Sequence, residues 1–204
     1  MAPKKKTAKK APKKKTAKKT AKTAAATEPV AVRFEAPLLA ASGQSILRLP
    51  KAASKALPSR GQVAVHATID GHTFSTVIEP DGDFGHWMKL DPKLRKAAGL
   101  EPGESVRVEV ERAADWPEPK VPPDLKQALA GAPKDVRELW QAITPMARWE
   151  WVRWINETKN PATRARRVEV GISKLSDGKR RPCCFNLASC TDPELSKSGK
   201  LALL

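Results

Sequence analysis

Four prolines fall between Asp115 and Pro123 (Pro117, Pro119, Pro122 and Pro123), and the spacing of the apolar residues changes across them. Before this segment apolar residues alternate with polar ones, the period of a half-buried strand. After it they recur at helical spacing. A chain patterned in this way builds a β unit first and a helical unit second, because neither period can serve the other structure. The expected class is α+β, with a small β-barrel carrying short helices over about residues 30–113 and a proline-rich linker over 114–123. A small all-α domain follows over about 121–177, and a C-terminal tail over 178–204.

Residues 1–28 fit neither period. PKKKTAKK occurs at 3–10 and again at 12–19, and a broken third copy runs to Thr27. With no large apolar side chain, this arm can bury nothing to offset chain entropy, so it reads as disordered. Eleven lysines lie here (Lys4, Lys5, Lys6, Lys9, Lys10, Lys13, Lys14, Lys15, Lys18, Lys19 and Lys22), and residues 1–22 hold no acid. They supply most of the formal net charge of +16. The composition resembles the tails of linker histones and of lysine-rich bacterial nucleoid proteins. Such a row of ammonium groups suits a phosphate backbone, and the absence of an aromatic argues against base stacking or sequence preference by the arm. A tail that serves solubility alone, and one that rests on an anionic membrane surface, are the alternatives.

Within the β unit, strands are expected at Val30 to Glu35, Ser45 to Leu49, Gln62 to Ile69, Thr73 to Ile78, Trp87 to Leu90 and Ser105 to Val110. Asp70-Gly71 supplies a hairpin turn and Pro80-Asp81-Gly82 another; Pro92 to Ala98 reads as a short helix ended by Gly99. The region repeats itself. Leu47-Arg48-Leu49-Pro50 leads through a helical stretch to Gly61-Gln62-Val63, and Met88-Lys89-Leu90-Asp91-Pro92 leads likewise to Gly103-Glu104-Ser105-Val106. Neither unit buries its own apolar face, but two related by a pseudo-twofold can close a barrel. The unit resembles the half-barrel of AbrB/MazE-type swapped-hairpin and double-split barrels.

In the helical unit Asp124 is placed to cap a first helix ending at Ala130, and Ala132-Pro133 opens a second over Lys134 to Ile143. Thr144-Pro145 and Asn160-Pro161 each put a capping side chain directly before a proline, a strong start signal for the third and fourth helices. On the third, Trp151, Trp154 and Ile155 share the core face while Trp149 lies on the far side, either as an exposed contact or as a cover for the barrel. Lys159, Arg164, Arg166 and Arg167 cluster around the start of the fourth helix. They are candidate anion or partner contacts; alternatively Arg164 ties helices together through a carboxylate such as Glu150, with the other cations solvated.

These stretches also carry a family resemblance. Val121-Pro122-Pro123-Asp124-Leu125, Ala128-Leu129, Arg148, Trp154-Ile155, Lys159 and Thr163-Arg164-x-Arg166-Arg167 look like the C-terminal domain of the bacterial YdeI/OmpD-associated, or bacteriocin-protection, family. Val65-x-Ala67-Thr68-Ile69-Asp70-Gly71, Phe74, Gly85-His86-Trp87-Met88 and Gly99-Leu100-x-Pro102-Gly103 look like the small barrel of unknown function that accompanies it. The resemblance spans about residues 30–185 and implies a role in envelope stress or bacteriocin tolerance, with no agreed catalytic residue or cofactor. The lysine arm is not a general feature of that family.

The chain shows no partnered nucleophile, paired-carboxylate motif or phosphate-binding glycine loop, so no catalytic residue, cofactor or metal is assigned. His66, His72 and His86 read as solvated or structural. Cys183, Cys184 and Cys190 follow Lys179-Arg180-Arg181, which favours thiolate, yet they suit neither a disulfide framework nor a zinc site and read as incidental thiols in a frayed tail. No stretch is long and apolar enough to span a membrane. The expectation is a non-catalytic, cytoplasmic protein whose arm associates with nucleic acid, DNA or RNA, with a place at the nucleoid as the alternative to a free cytoplasmic one. Its alternative is a protein–protein adaptor in stress tolerance, and a small-molecule enzyme using the barrel ranks last.

Overall fold

The computed structural model describes residues 31–183 and 186–202; the eleven arm lysines and Cys184 lie outside them. The first unit comprises β1 (Val32–Ala41), β2 (Gln44–Arg48), α1 (Lys51–Ala56), β3 (Val63–Ile69), β4 (His72–Pro80), β5 (His86–Leu90), α2 (Pro92–Ala97) and β6 (Ser105–Arg112). The strands close into a barrel in the order β1-β2-β5-β4-β3-β6, every neighbouring pair antiparallel. Exchanging β1 with β4, β2 with β5 and β3 with β6 leaves that ring unchanged. The repeat seen in the sequence is therefore the barrel's pseudo-twofold, with β2-α1-β3 and β5-α2-β6 as its halves.

Alternation fixes which side chains point inward. Leu38, Leu47, Val65, Ala67, Ile69, Ile78, Met88, Leu90, Val106, Val108 and Val110 fill the interior, which is a packed core. The expected first strand stopped at Glu35, but β1 continues to Ala41. Pro37 sits at the handover: residues up to Pro37 pair with β6, and Leu38 onward pairs with β2. A strand changing partners tolerates a residue that cannot donate, so Pro37 does not end it.

The helical unit holds α3 (Pro123–Gly131), α4 (Lys134–Ala142), α5 (Pro145–Asn156) and α6 (Pro161–Ser176). Thr144 and Asn160 cap α5 and α6 as expected, their side chains accepting from the N–H of Ala147 and Thr163. Asp124 does not cap α3, which starts one residue earlier. Its carboxylate instead binds Arg164. α6 packs against α3, α4 and α5 around Leu125, Val136, Trp140, Trp151, Ile155, Val168 and Leu175.

The proline segment is docked onto the body. Pro117 O accepts from Trp149 Nε1 at 2.6 Å, Glu118 pairs with Arg148, and Trp116 packs with Trp149 against Ala64, Val77 and Ala113. After α6 the chain returns to the barrel. Cys190 and Leu195 are buried on Ala41, Ile46 and Trp87, and the hairpin β7 (Ser196–Lys197) with β8 (Lys200–Leu201) follows. The expectation of a frayed tail is thus corrected for residues 186–202. The sequence there lacks a long apolar run, but Leu195 and Cys190 suffice to cover a small apolar face on the outside of β2 and β5.

Candidate functional site

Helix α5 has two working faces. Ala147, Trp151 and Ile155 belong to the helical core. Trp149, Arg153 and Asn156 follow the spacing i, i+4, i+7 and face the other way, with Val152 at the border, buried in the helical core and lining both sides. There they line a cleft of about 530 Å³ between the helical unit, β2, β4, β5 and the returning segment. Its other walls include Gln44, Glu79, Lys89, Lys120, Arg164 and Asp192.

At the base of the cleft lies a buried ion pair. Arg153, 4% exposed, places Nε 2.9 Å from Oε2 of Glu79 on β4. Its Nη2 donates to Ser189 O at 3.0 Å, so one guanidinium joins α5, the barrel and the returning segment. Glu79 Oε1 accepts from Gln62 Nε2 at 2.6 Å. Burial pushes the Glu79 carboxyl above its ordinary range, while the Arg153 charge and the Gln62 amide pull it down. Beside it Gln44 Nε2 reaches Asp192 Oδ2 at 3.5 Å, and Gln44 Oε1 is buried with no hydrogen-bond partner among the described residues. Lys89 and Lys120 are exposed at the cleft. A cleft of this size, with an aromatic wall, two exposed ammonium groups, the carboxylates of Glu79, Asp192 and Glu194 and an unsatisfied acceptor, has the chemistry to hold a small polar, hydrogen-bonding molecule.

The candidate contacts from the sequence fall in different places. Trp149 lies half-buried over the barrel and lines the cleft. Arg164 also reaches the cleft, held by a bidentate pair with Asp124 (2.6 and 3.1 Å) and by Asn156 Oδ1 at 2.9 Å. Glu150, the carboxylate expected to hold Arg164, is taken by Arg181. Lys159 pairs with Glu194 of the returning segment at 2.9 Å. Arg166 is exposed and pairs with Glu169 one turn on. Arg167 donates to Trp154 O and Glu157, and lies 5.4 Å over the Trp154 ring. Arg153, Glu79 and Gln44 were missed. Arg153 carried a signal, as a member of the second α5 stripe; Glu79 and Gln44 carried none, because only the closed barrel brings them there.

His66 and His72 are exposed on the β3–β4 hairpin, whereas His86 is buried with Nε2 3.2 Å from Gly61 O, and burial lowers its pKa. Cys183 is exposed, its Sγ 2.6 Å from Lys174 Nζ, and burial pushes the Cys190 thiol up to about 11. Among the described residues no three His, Cys, Asp or Glu side chains gather as a metal site, and no helix is long and apolar enough to cross a membrane.

A closed six-stranded barrel followed by a four-helix unit, joined across a charged cleft, makes this an α+β protein of two domain types. Residues 34–110 match the domain of unknown function DUF1905, and residues 118–193 match the family described as bacteriocin-protection, YdeI or OmpD-associated. The helical domain is therefore similar to the YdeI/OmpD-associated family, and the barrel before it to DUF1905. No curated protein matches the chain.

Proposed function

We propose that this is a non-catalytic binding protein whose lysine arm associates with nucleic acid without sequence preference. The observation that carries the reading is the charge placement: eleven lysines and no acid within the first 22 residues. Phosphate contacts release condensed counterions, so binding must weaken steeply with salt. Engagement of ~6–10 phosphates lowers affinity by roughly 10³–10⁵-fold between about 50 and 200 mM salt. Gel shifts of the full chain and of a variant lacking residues 1–28, across that salt range, test this. The full chain should show the steep dependence and the variant should lose most of it. Equal binding by the two removes the arm from the explanation.

The family match favours a second reading, a protein–protein adaptor in bacteriocin protection or envelope stress. On that reading the partner meets the cleft, where Lys89 and Lys120 stand exposed beside Trp149. A photo-crosslinker at position 89 or 120 that captures one specific protein in bacteria exposed to a bacteriocin supports it. Unchanged bacteriocin sensitivity on deleting the gene counts against it.

A further inference from the structure

The β4–β5 connection departs from the barrel's pseudo-twofold. Its counterpart between β1 and β2 is the two-residue turn Ser42-Gly43, whereas β4 and β5 are joined by Asp81-Gly82-Asp83-Phe84-Gly85. This longer loop is rigidly held. The Asp81 carboxylate, 1% exposed, accepts from the N–H of Asp83 at 2.7 Å and of Gly85 at 2.8 Å, and from Arg48 Nη2 at 2.8 Å. The C-terminal hairpin braces the other side, with Leu201 N–H donating to Asp81 O at 2.7 Å and Gly82 packed on Gly199.

The loop then does something costly with its one large side chain. Phe84 has φ of +62° and is 81% exposed. A left-handed conformation is unusual for a bulky residue, and such strain persists only where the surroundings over-determine it. The only other large apolar side chain exposed among the described residues is Leu187, whose carbonyl and Cβ lie against Gly61, next to Arg60. The guanidinium of Arg60 stands 5.0 Å from the Phe84 ring centroid. Lys51 and Lys55, one turn apart on α1, line the same hollow of about 480 Å³. Ser54, between them, ties α1 to the start of β5, just after the loop, by accepting from His86 N–H at 3.1 Å. The hollow's one acid, Asp83, is countered by Lys200 at 3.6 Å. Lys51, Lys55 and Arg60 form no ion pair among the described residues.

We propose that Phe84 with Lys51, Lys55 and Arg60 forms a contact site for single-stranded nucleic acid, a base stacking on the ring and phosphates meeting the three cations. An exposed ring set among cations is what a sequence-tolerant single-strand platform requires, and it supplies the stacking that the arm lacks. The site rests on the nucleic-acid reading given above and sharpens it: the arm gives affinity for any phosphate backbone, and the loop gives preference for unpaired bases.

Phe84→Gly in the full chain tests the site, because glycine relieves the positive φ and the variant should melt at or above the parent temperature. Fluorescence anisotropy with an oligothymidylate of about 15 nucleotides should show single-strand affinity falling roughly 5- to 100-fold. Affinity for a duplex of the same length should stay within about twofold. Changing Lys51 and Lys55 together to Gln should lower the single-strand salt slope by about 0.7 per cation. A Phe84→Gly variant that binds the oligonucleotide as the parent does overturns the proposal. So does a patch whose loss weakens polyglutamate binding but not oligonucleotide binding, which makes it an acidic-peptide site. A full chain with its eleven arm lysines changed to Gln separates the two readings. Duplex binding unaltered in that variant defeats the arm, while the single-strand loss in Phe84→Gly still decides the loop.

Discussion

Asp81 is a buried carboxylate on which a loop is built. Burial alone would raise its pKa, but the bonds from Arg48 and from the N–H groups of Asp83 and Gly85 hold it below the ordinary carboxylate range. A depressed folded-state value means that its contribution is complete above the unfolded value of about 4 and is lost as pH falls through the folded one. Asp81→Asn keeps the size and loses the charge, and should cost about 2 kcal/mol at pH 7. The deficit should shrink on acidification below about pH 4, which paired urea titrations at pH 7 and pH 3 would measure. A constant deficit would place the effect in shape and not in charge. The sequence marks Pro80-Asp81-Gly82 as a turn, and that is where the loop begins. It does not reveal Arg48 as the partner, because the two meet only when β2 and β4 flank β5. Phe84 is illegible in the sequence for a related reason: nothing local distinguishes an aromatic destined for solvent from one destined for the core.

At the level of elements, α5 decides how the two units meet. Its Thr144-Pro145 start and its inner tryptophan stripe were legible, since both depend on residues a few positions apart. Its second face is legible only in part: the helical period sets Trp149 opposite the core but gives Arg153 no partner. Arg153→Met removes the charge opposite Glu79 and leaves a carboxylate buried, which should cost about 3 kcal/mol at neutral pH. Because the Glu79 value is already raised, the group favours folding when protonated, and losing Arg153 raises it further. The defect of the variant should therefore be larger at pH 8 than at pH 5. The same change frees Ser189 O, so Cys190 should alkylate with iodoacetamide faster than in the parent, where burial keeps its thiol protonated. Site-resolved mass spectrometry reads this directly. Unchanged protection of Cys190 would show that the returning segment holds to Ile46 and Trp87 without Arg153.

For the whole molecule, the order of a β unit before an α unit was visible in the switch of period at the prolines, and the barrel's two halves in their repeated pattern. The cleft was not visible, because its walls come from positions as far apart as Gln44 and Glu194. That same seam should make unfolding cooperative. Trp149 and Trp116 on Ala64, Val77 and Ala113, together with the Arg153–Glu79 pair, couple the units. Calorimetry is expected to show one transition for the parent and two when Trp149→Ala is combined with Arg153→Met; two in the parent would mean that the seam contributes little. The returning segment also has a consequence for synthesis. A ribosome makes the barrel first and residues 190–195 only after the whole helical domain. Until those residues emerge, Ala41, Ile46 and Trp87 have no lid, and a nascent chain halted at α6 presents an uncovered apolar face to chaperones and proteases.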